Sequence, residues 1–134
     1  MKSRVERLMV GPIGENVYAV ESGGIGVLVD PGDDPDGILD FLGKKGIPIS
    51  LIVLTHGHLD HTAAIPALFD AWRAQPPRLA IHFLDASYLG PKAEEVNKAR
   101  LRPSTPQASS AATGKPSPNP TFSFWKATLS QAHR

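Results

Sequence analysis

Short apolar runs, each followed by a turn-forming residue, recur along the first 82 residues and predict strands. The predicted strands are Val5–Val10, Asn16–Glu21, Ile25–Val29, Ile49–Leu54 and Arg78–His82. Ser22-Gly23-Gly24 separates the second strand from the third and predicts a hairpin. The fourth strand is nearly continuous in apolar residues, which is typical of a strand covered on both faces. The pattern therefore predicts a sheet that begins antiparallel.

Helical signals lie on either side of the fourth strand. The first helix has Asp34 as N-cap, Pro35 at its first position, two lysines in its last turn and Gly46 beyond its end. The second begins near Pro66, where proline is tolerated, and ends before Pro76. Its apolar residues recur at helical spacing and are predicted to face the core: Ile65, Leu68, Phe69 and Trp72. This order of strands and helices indicates the α/β (α+β) fold class.

The candidate chemistry is concentrated directly after the fourth strand, in His56, His58, Asp60 and His61. Residues two apart on extended backbone point to the same side, so His56 and His58 can reach one ion. If a helix then begins, Asp60 and His61 can face a neighbouring position. Imidazole with carboxylate suits zinc, with iron, manganese or nickel as alternatives. A loop of merely exposed histidines is the other interpretation, and the place of the cluster after a buried strand favours the metal site.

Composition narrows the range of functions. The chain has 134 residues, a formal net charge of +1 and no cysteine. Disulfides and thiolate ligands are therefore excluded, and no strong global charge points to nucleic acid. No apolar run approaches the roughly 18 residues of a membrane span. The charged first residues also lack the apolar core of a signal peptide. We expect a cytoplasmic protein without membrane contact.

Charge and residue usage change near residue 101. All 13 acidic residues lie in residues 1–100, whereas residues 101–134 are basic and rich in proline, serine and alanine. Such composition without periodicity predicts low order. We therefore predict a domain over residues 1–100 and a low-order tail over residues 101–134. The abrupt loss of acidic residues also prompts the hypothesis of a shifted reading frame or a truncated gene.

Three segments together resemble a known family. His56–His61 after an apolar strand, with Val27–Gly32 upstream, looks like the metallo-β-lactamase fold superfamily. The opening Gly11–Tyr18 is similar to the glyoxalase II-like (hydroxyacylglutathione hydrolase-like) branch. The resemblance extends over roughly residues 5–90. It implies the N-terminal half of an αββα sandwich, with the metal site along the edge between the sheets.

The resemblance also implies roles for individual residues. His56 and His58 would bind a first ion, and Asp60 and His61 a second, in a binuclear zinc site for which iron or manganese are alternatives. A metal-bound hydroxide would attack the carbonyl of a thioester or ester in a small-molecule substrate. Asp60 would also be catalytic, taking a proton from the attacking water. Asp30 would lie behind the ligands and orient them.

The second half of the family pattern is missing. Complete members add another histidine, a bridging aspartate and a final histidine, whereas residues beyond 90 contain one histidine, His133, and no aspartate. The alternative function is therefore an inactive half-domain with weak or labile metal binding. A sheet without its partner layer predicts a homodimer or a complementing chain. His82 is interpreted as a structural histidine, and nucleic-acid processing, suggested only by the basic tail, is disfavoured.

Overall fold

A computed structural model of the chain describes residues 2–89 and residue 96. The chain divides into two units, Met1–Ala86 and Ser87–Arg134. The sheet and the histidine cluster belong to the first unit. The predicted boundary at residue 100 and the predicted low-order tail over residues 101–134 lie outside the described residues.

The first unit is built on one five-stranded sheet with the strand order β1-β2-β3-β4-β5. The three strands β1 to β3 pair antiparallel, and β3, β4 and β5 pair parallel. The predicted strands and the antiparallel beginning of the sheet are confirmed. In chain order the elements are β1 Arg4–Val10, β2 Glu15–Ser22, β3 Ile25–Val29, α1 Pro35–Lys45, β4 Ile49–Leu54, α2 Leu59–Thr62, α3 Ile65–Ala71, β5 Arg78–Ile81 and a 3-10 helix, Phe83–Tyr88.

Helix α1 begins and ends where its capping residues predict. The Asp34 side chain accepts a hydrogen bond from the Gly37 N–H at 3.1 Å, which satisfies one of the free donors of the first turn. At the other end Gly46 takes a φ of 63°, and the following Ile47 N–H donates to the Leu42 carbonyl at 3.1 Å. A left-handed glycine that closes the last turn in this way is a common helix end. Local sequence signals therefore fix both ends of α1.

Both long helices cover the same face of the sheet. The β3–α1–β4 and β4–α3–β5 connections join parallel neighbours, and such crossovers are almost always right-handed, which places α1 and α3 together. The apolar core lies between them and the sheet. Its buried strand residues are Val10, Val17, Ala19, Leu28, Ile52 and Leu54, and its buried helix residues are Ile38, Leu42, Ile65 and Leu68. Phe69 and Trp72 of the predicted stripe are only half-buried.

The opposite face of the sheet, which we call the open face, carries exposed apolar side chains beside the polar Arg7 and Asn16. The strand register places Val5, Met9, Tyr18 and Ile25 on it, with exposures of 64%, 63%, 39% and 61%. Along β4, Ile52 and Leu54 are buried, whereas Leu51 and Val53 on the open face are half-buried. The prediction that β4 is covered on both faces is therefore wrong for the described residues. Its apolar run reflects a sheet with two apolar faces, of which the helices cover one.

None of the helices within residues 2–89 combines the length and the apolar character needed to cross a bilayer. The cytoplasmic location expected from the sequence stays a prediction.

Candidate metal centre

Three strand ends meet at one edge of the sheet and supply the site. The parallel strands β3 and β4 end at Val29 and Leu54, directly before Asp30 and Thr55. Strand β2 runs antiparallel to β3, so its first residue, Glu15, lies at the same edge. The histidine cluster follows β4 at this edge. Residues that are distant in sequence are therefore close in space because of the sheet topology.

Asp30 joins the ends of β3 and β4. Its backbone N–H donates to the Val53 carbonyl at 3.0 Å. Its carboxylate accepts two hydrogen bonds from Thr55, from the backbone N–H to Oδ1 at 2.8 Å and from the hydroxyl to Oδ2 at 2.6 Å. The residue is 6% exposed and has a φ of 46°, a left-handed conformation that is costly for a residue with a side chain. The contacts with Thr55 and Val53 hold it there.

The Thr55 hydroxyl also orients His56. Its oxygen lies 2.9 Å from His56 Nδ1. Because the one hydroxyl hydrogen is donated to Asp30, the oxygen is left as an acceptor, and Nδ1 must be the donor. A neutral imidazole with its hydrogen on Nδ1 presents Nε2 as a lone pair. This hydrogen bond therefore leaves Nε2 of a neutral His56 available to a metal ion.

Helix α2 carries the remaining ligand candidates into the site. His58 is extended (φ −64°, ψ 148°) and is followed by one helical turn, so the predicted change from extended to helical backbone is confirmed. The turn is anchored on the β3 loop, since the Gly32 N–H donates to the His61 carbonyl at 3.1 Å and the Ala64 N–H donates to Gly32 at 2.7 Å. This anchoring fixes where His61 lies relative to Asp30.

His61 lies among three carboxylates. Its Nε2 is 3.5 Å from Asp60 Oδ2. Two ligand atoms on one tetrahedral zinc, each roughly 2.1 Å from the ion, are about 3.4 Å apart, so this pair is spaced as ligands of a common ion. On the other side of the ring, Nδ1 is 3.2 Å from both Glu15 Oε1 and Asp30 Oδ2. Neither oxygen is in line with the N–H, and within the described residues this buried nitrogen has no hydrogen-bond partner.

Within residues 2–89, side chains able to bind a metal form two overlapping groups, in each of which the ligand atoms lie within 4.8 Å of one another. One group is Asp30, His56 and His61, and the other is Glu15, Asp60 and His61. Both oxygens of Asp30 accept a hydrogen bond from Thr55, and the other ligand atoms of the two groups are imidazole nitrogens and the Asp60 and Glu15 carboxylate oxygens. This nitrogen and oxygen set fits zinc, iron or manganese.

His58 lies at the margin of this arrangement. It is exposed, and its ring centroid is 4.5 Å from that of His56, compared with 4.0 Å between His56 and His61. It belongs to neither of the two groups of described residues. Asp60 has a side chain that is 39% exposed, so water can reach it. The individual roles of His56, His58, Asp60, His61 and Asp30 stay predictions.

Sequence analysis did not identify Glu15 as a site residue. It lies in a segment used only for family resemblance, and its approach to His61 depends on the β2–β3 register. A search for carboxylates at the β2 end that meets the ends of β3 and β4 would have found it. His82 lies outside both candidate groups; its Nδ1 accepts the Leu84 N–H at 3.3 Å and its ring stacks on Phe83.

Comparison with known proteins agrees with this geometry. A family model described as the metallo-beta-lactamase superfamily matches residues 10–122. The match extends beyond residue 90, where the resemblance found from the sequence motifs ends. The probable metallo-hydrolase YqgX of Bacillus subtilis (strain 168) is 35% identical over 66 residues, which are 49% of this chain and 31% of that protein. A hydroxyacylglutathione hydrolase of Anaeromyxobacter dehalogenans (strain 2CP-C) is 36% identical over 84 residues, 63% of this chain and 31% of that protein.

A similar solved structure also contains metal. TTHA1623, crystallised in a di-iron-bound form, superposes with a TM-score of 0.59 at 32% identity, over 77% of this chain and 51% of that one. The chain spans about a third of the length of the two curated relatives, the metallo-hydrolase of Bacillus subtilis and the hydroxyacylglutathione hydrolase of Anaeromyxobacter dehalogenans. The fold class predicted from the sequence, with a metallo-β-lactamase-type first half, is confirmed. By its matching model, its fold and its relatives, the chain belongs to the metallo-beta-lactamase superfamily.

Proposed function

We propose that this chain is a metal-dependent hydrolase that attacks the carbonyl carbon of a thioester or ester and cleaves its acyl C–S or C–O bond. The observation that supports this most is the convergence of His56, Asp60 and His61 at one edge of the sheet, with His61 Nε2 and Asp60 Oδ2 spaced as ligands of one ion. The named activities of its relatives, a metallo-hydrolase and a hydroxyacylglutathione hydrolase, point in the same direction. Because the chain spans 31% of each of these relatives, its own activity is a proposal.

In this proposal His56 and His58 hold one ion, and Asp60 and His61 hold a second. When bound, the ions would lower the pKa of a water molecule and stabilise the oxyanion that develops at the carbonyl. The Asp60 carboxylate, which water can reach, would accept the proton that the water loses. Asp30 and Thr55 would keep His56 in its Nδ1–H form.

Zinc is the metal we propose, since imidazole and carboxylate ligands suit it. Iron and manganese accept the same ligands, and TTHA1623 contains two irons. The thioester is the preferred substrate class, because four of the six similar relatives are named hydroxyacylglutathione hydrolases. A hydroxyacyl thioester of glutathione is therefore the first compound to test.

The test is hydrolysis of a hydroxyacylglutathione thioester and of a simple aryl ester by the full chain loaded with zinc, iron or manganese. We expect thioester cleavage above the rate of buffer with metal alone, and its loss in Asp60→Asn. The matched control is Asp70→Asn, which changes an exposed carboxylate on α3 and should leave the rate unchanged. Equal rates for the wild-type chain and Asp60→Asn would contradict the proposal.

A second candidate is a metal-binding domain without turnover. Catalytic zinc usually takes three protein ligands and a water, whereas the assignment above gives each ion two. Metal bound at one or two equivalents, with no cleavage of either compound under any metal, would support it over the hydrolase.

A further inference from the structure

Glu15 lies outside the histidine motif, yet its carboxylate is directed at His61. Glu15 Oε1 is 3.2 Å from His61 Nδ1, and both side chains are largely buried, at 17% and 15% exposure. The position is fixed by the fold, because Glu15 is paired with Val10 at the β2 end that adjoins the β3 loop. Buried carboxylates are costly without a partner, so a contact of this kind has a physical reason.

Two carboxylates compete for the same nitrogen, since Asp30 Oδ2 is also 3.2 Å from His61 Nδ1. Asp30 is already engaged, with its oxygens accepting from the Thr55 N–H and hydroxyl at 2.8 Å and 2.6 Å. It also has a short stem and a fixed backbone. Glu15 has one more methylene and can rotate its carboxylate into line with the N–H. Of the two, Glu15 is therefore the acceptor that can adjust to His61.

The other nitrogen of the ring explains why this acceptor matters. His61 Nε2 faces Asp60 Oδ2 at 3.5 Å, the spacing of two ligands on one ion. Nε2 can bind an ion only as a lone pair, so the ring hydrogen must be on Nδ1. We propose that Glu15 is a positioning residue that accepts the His61 Nδ1–H hydrogen bond and so holds the ring with Nε2 toward the metal.

The inference rests on the proposed function only in that the site binds a metal ion. Glu15 could instead bind the ion directly, because its carboxylate forms a group with Asp60 and His61 in which the ligand atoms lie within 4.8 Å of one another. A glutamine at position 15 separates these roles. Its amide oxygen can still accept the Nδ1–H hydrogen bond, whereas a neutral amide is a poor substitute for a carboxylate ligand.

The packing around Glu15 limits where its stem can lie. A Cβ built on Gly32 would be 3.2 Å from Glu15 Cγ and 3.0 Å from Val10 Cγ2, so the glycine leaves the room that the stem of Glu15 occupies. The same glycine binds the backbone of His61. The β3 loop therefore holds the backbone of His61 and leaves space for the stem of Glu15 beside it.

Two measurements test this on the full chain: the His61 tautomer in metal-free protein, from ¹⁵N and ¹³C imidazole shifts, and the zinc affinity, by competition with a chromophoric chelator. We expect an Nδ1–H tautomer in the wild type and in Glu15→Gln, and a mixed or reversed tautomer in Glu15→Ala. Zinc affinity should fall about 10- to 100-fold in Glu15→Ala and only a few-fold in Glu15→Gln, as for other groups that orient a ligating histidine.

The control is Glu21→Ala, which removes a carboxylate of the same strand that contacts Arg4 away from the site. Glu21→Ala should change neither the His61 tautomer nor the zinc affinity. An unchanged tautomer in Glu15→Ala would overturn the inference, and so would equal losses of affinity in the glutamine and alanine variants, which indicate a direct ligand. If the wild type binds no zinc, the proposed function fails. The tautomer of His61 in metal-free protein then tests by itself whether Glu15 accepts the Nδ1–H hydrogen bond. If Glu15→Ala does not fold, Glu15→Leu replaces it.

Discussion

At the scale of single residues, Thr55 links the structural and chemical parts of the site. Its hydroxyl donates to Asp30 and accepts from His56, so one oxygen holds a strained aspartate and sets the tautomer of a candidate ligand. A hydrogen bond to a carboxylate is stronger than one between neutral groups, and here it is short. Thr55 directly precedes the histidine motif, and we expect the loss of its hydroxyl to weaken metal binding through His56.

We predict that Thr55→Val lowers zinc affinity about 10-fold and the free energy of unfolding by about 1–3 kcal/mol, because His56 and Asp30 each lose a hydrogen-bond partner. Chelator competition and denaturant titration measure the two effects. Thr55→Ser keeps the hydroxyl and should stay close to the wild type in both. Equal zinc affinity in the valine and serine variants would show that the hydroxyl does not orient His56.

At the scale of elements, the β3 loop and α2 behave as one unit. Gly32 has a φ of 64° and exchanges backbone hydrogen bonds with His61 and Ala64. A Cβ there would lie 3.0 Å from Val10 Cγ2 and 3.1 Å from the Asp60 carbonyl oxygen. Backbone strain and crowding therefore both oppose any larger residue at this position.

We predict that Gly32→Ala lowers the free energy of unfolding by about 1–3 kcal/mol and weakens zinc binding, because it displaces α2 from the β3 loop. The matched control is Gly43→Ala on α1, where a Cβ meets nothing within 4 Å and φ is not left-handed. This change should be neutral or should stabilise the protein by up to about 1 kcal/mol. Similar melting temperatures for the two variants would count against the account of the loop.

The elements also show which features sequence can predict. Asp34, Pro35 and Gly46 determine the ends of α1 through contacts within a few residues, so local reasoning placed the helix correctly. The contact of Glu15 with His61 depends on the order and register of three strands, and no local pattern contains that information. The sequence also predicts wrongly that β4 is covered on both faces, since an apolar run has the same pattern whether one or two layers cover it.

At the scale of the whole molecule, the open face is the main unexplained surface. Val5, Met9 and Ile25 are each more than 60% exposed on one side of the sheet, opposite the helices. Large exposed apolar side chains concentrated on one face of a sheet are typical of an interface. The homodimer or complementing chain expected from the sequence is thus a proposal that this surface supports, and a second copy is the partner we test.

We predict that the purified chain self-associates and that Met9→Lys with Ile25→Lys shifts it toward monomer, because charge on the open face opposes burial. Light scattering at several concentrations measures the change. Phe83→Lys is the control, since Phe83 is 77% exposed but lies in the 3-10 helix outside the sheet. A well-folded wild-type monomer at all concentrations would refute this prediction.

We expect the segment after β4 to bind metal, and the metal content per chain measures this without any assumption about the substrate. Elemental mass spectrometry on the full chain, desalted at neutral pH after loading, should find one to two equivalents of zinc, iron or manganese. We expect this metal to be lost in His58→Ala and His61→Ala and kept in His82→Ala, which changes a histidine outside both candidate groups. Metal near zero in the wild type, or equal loss in His82→Ala, would contradict the account.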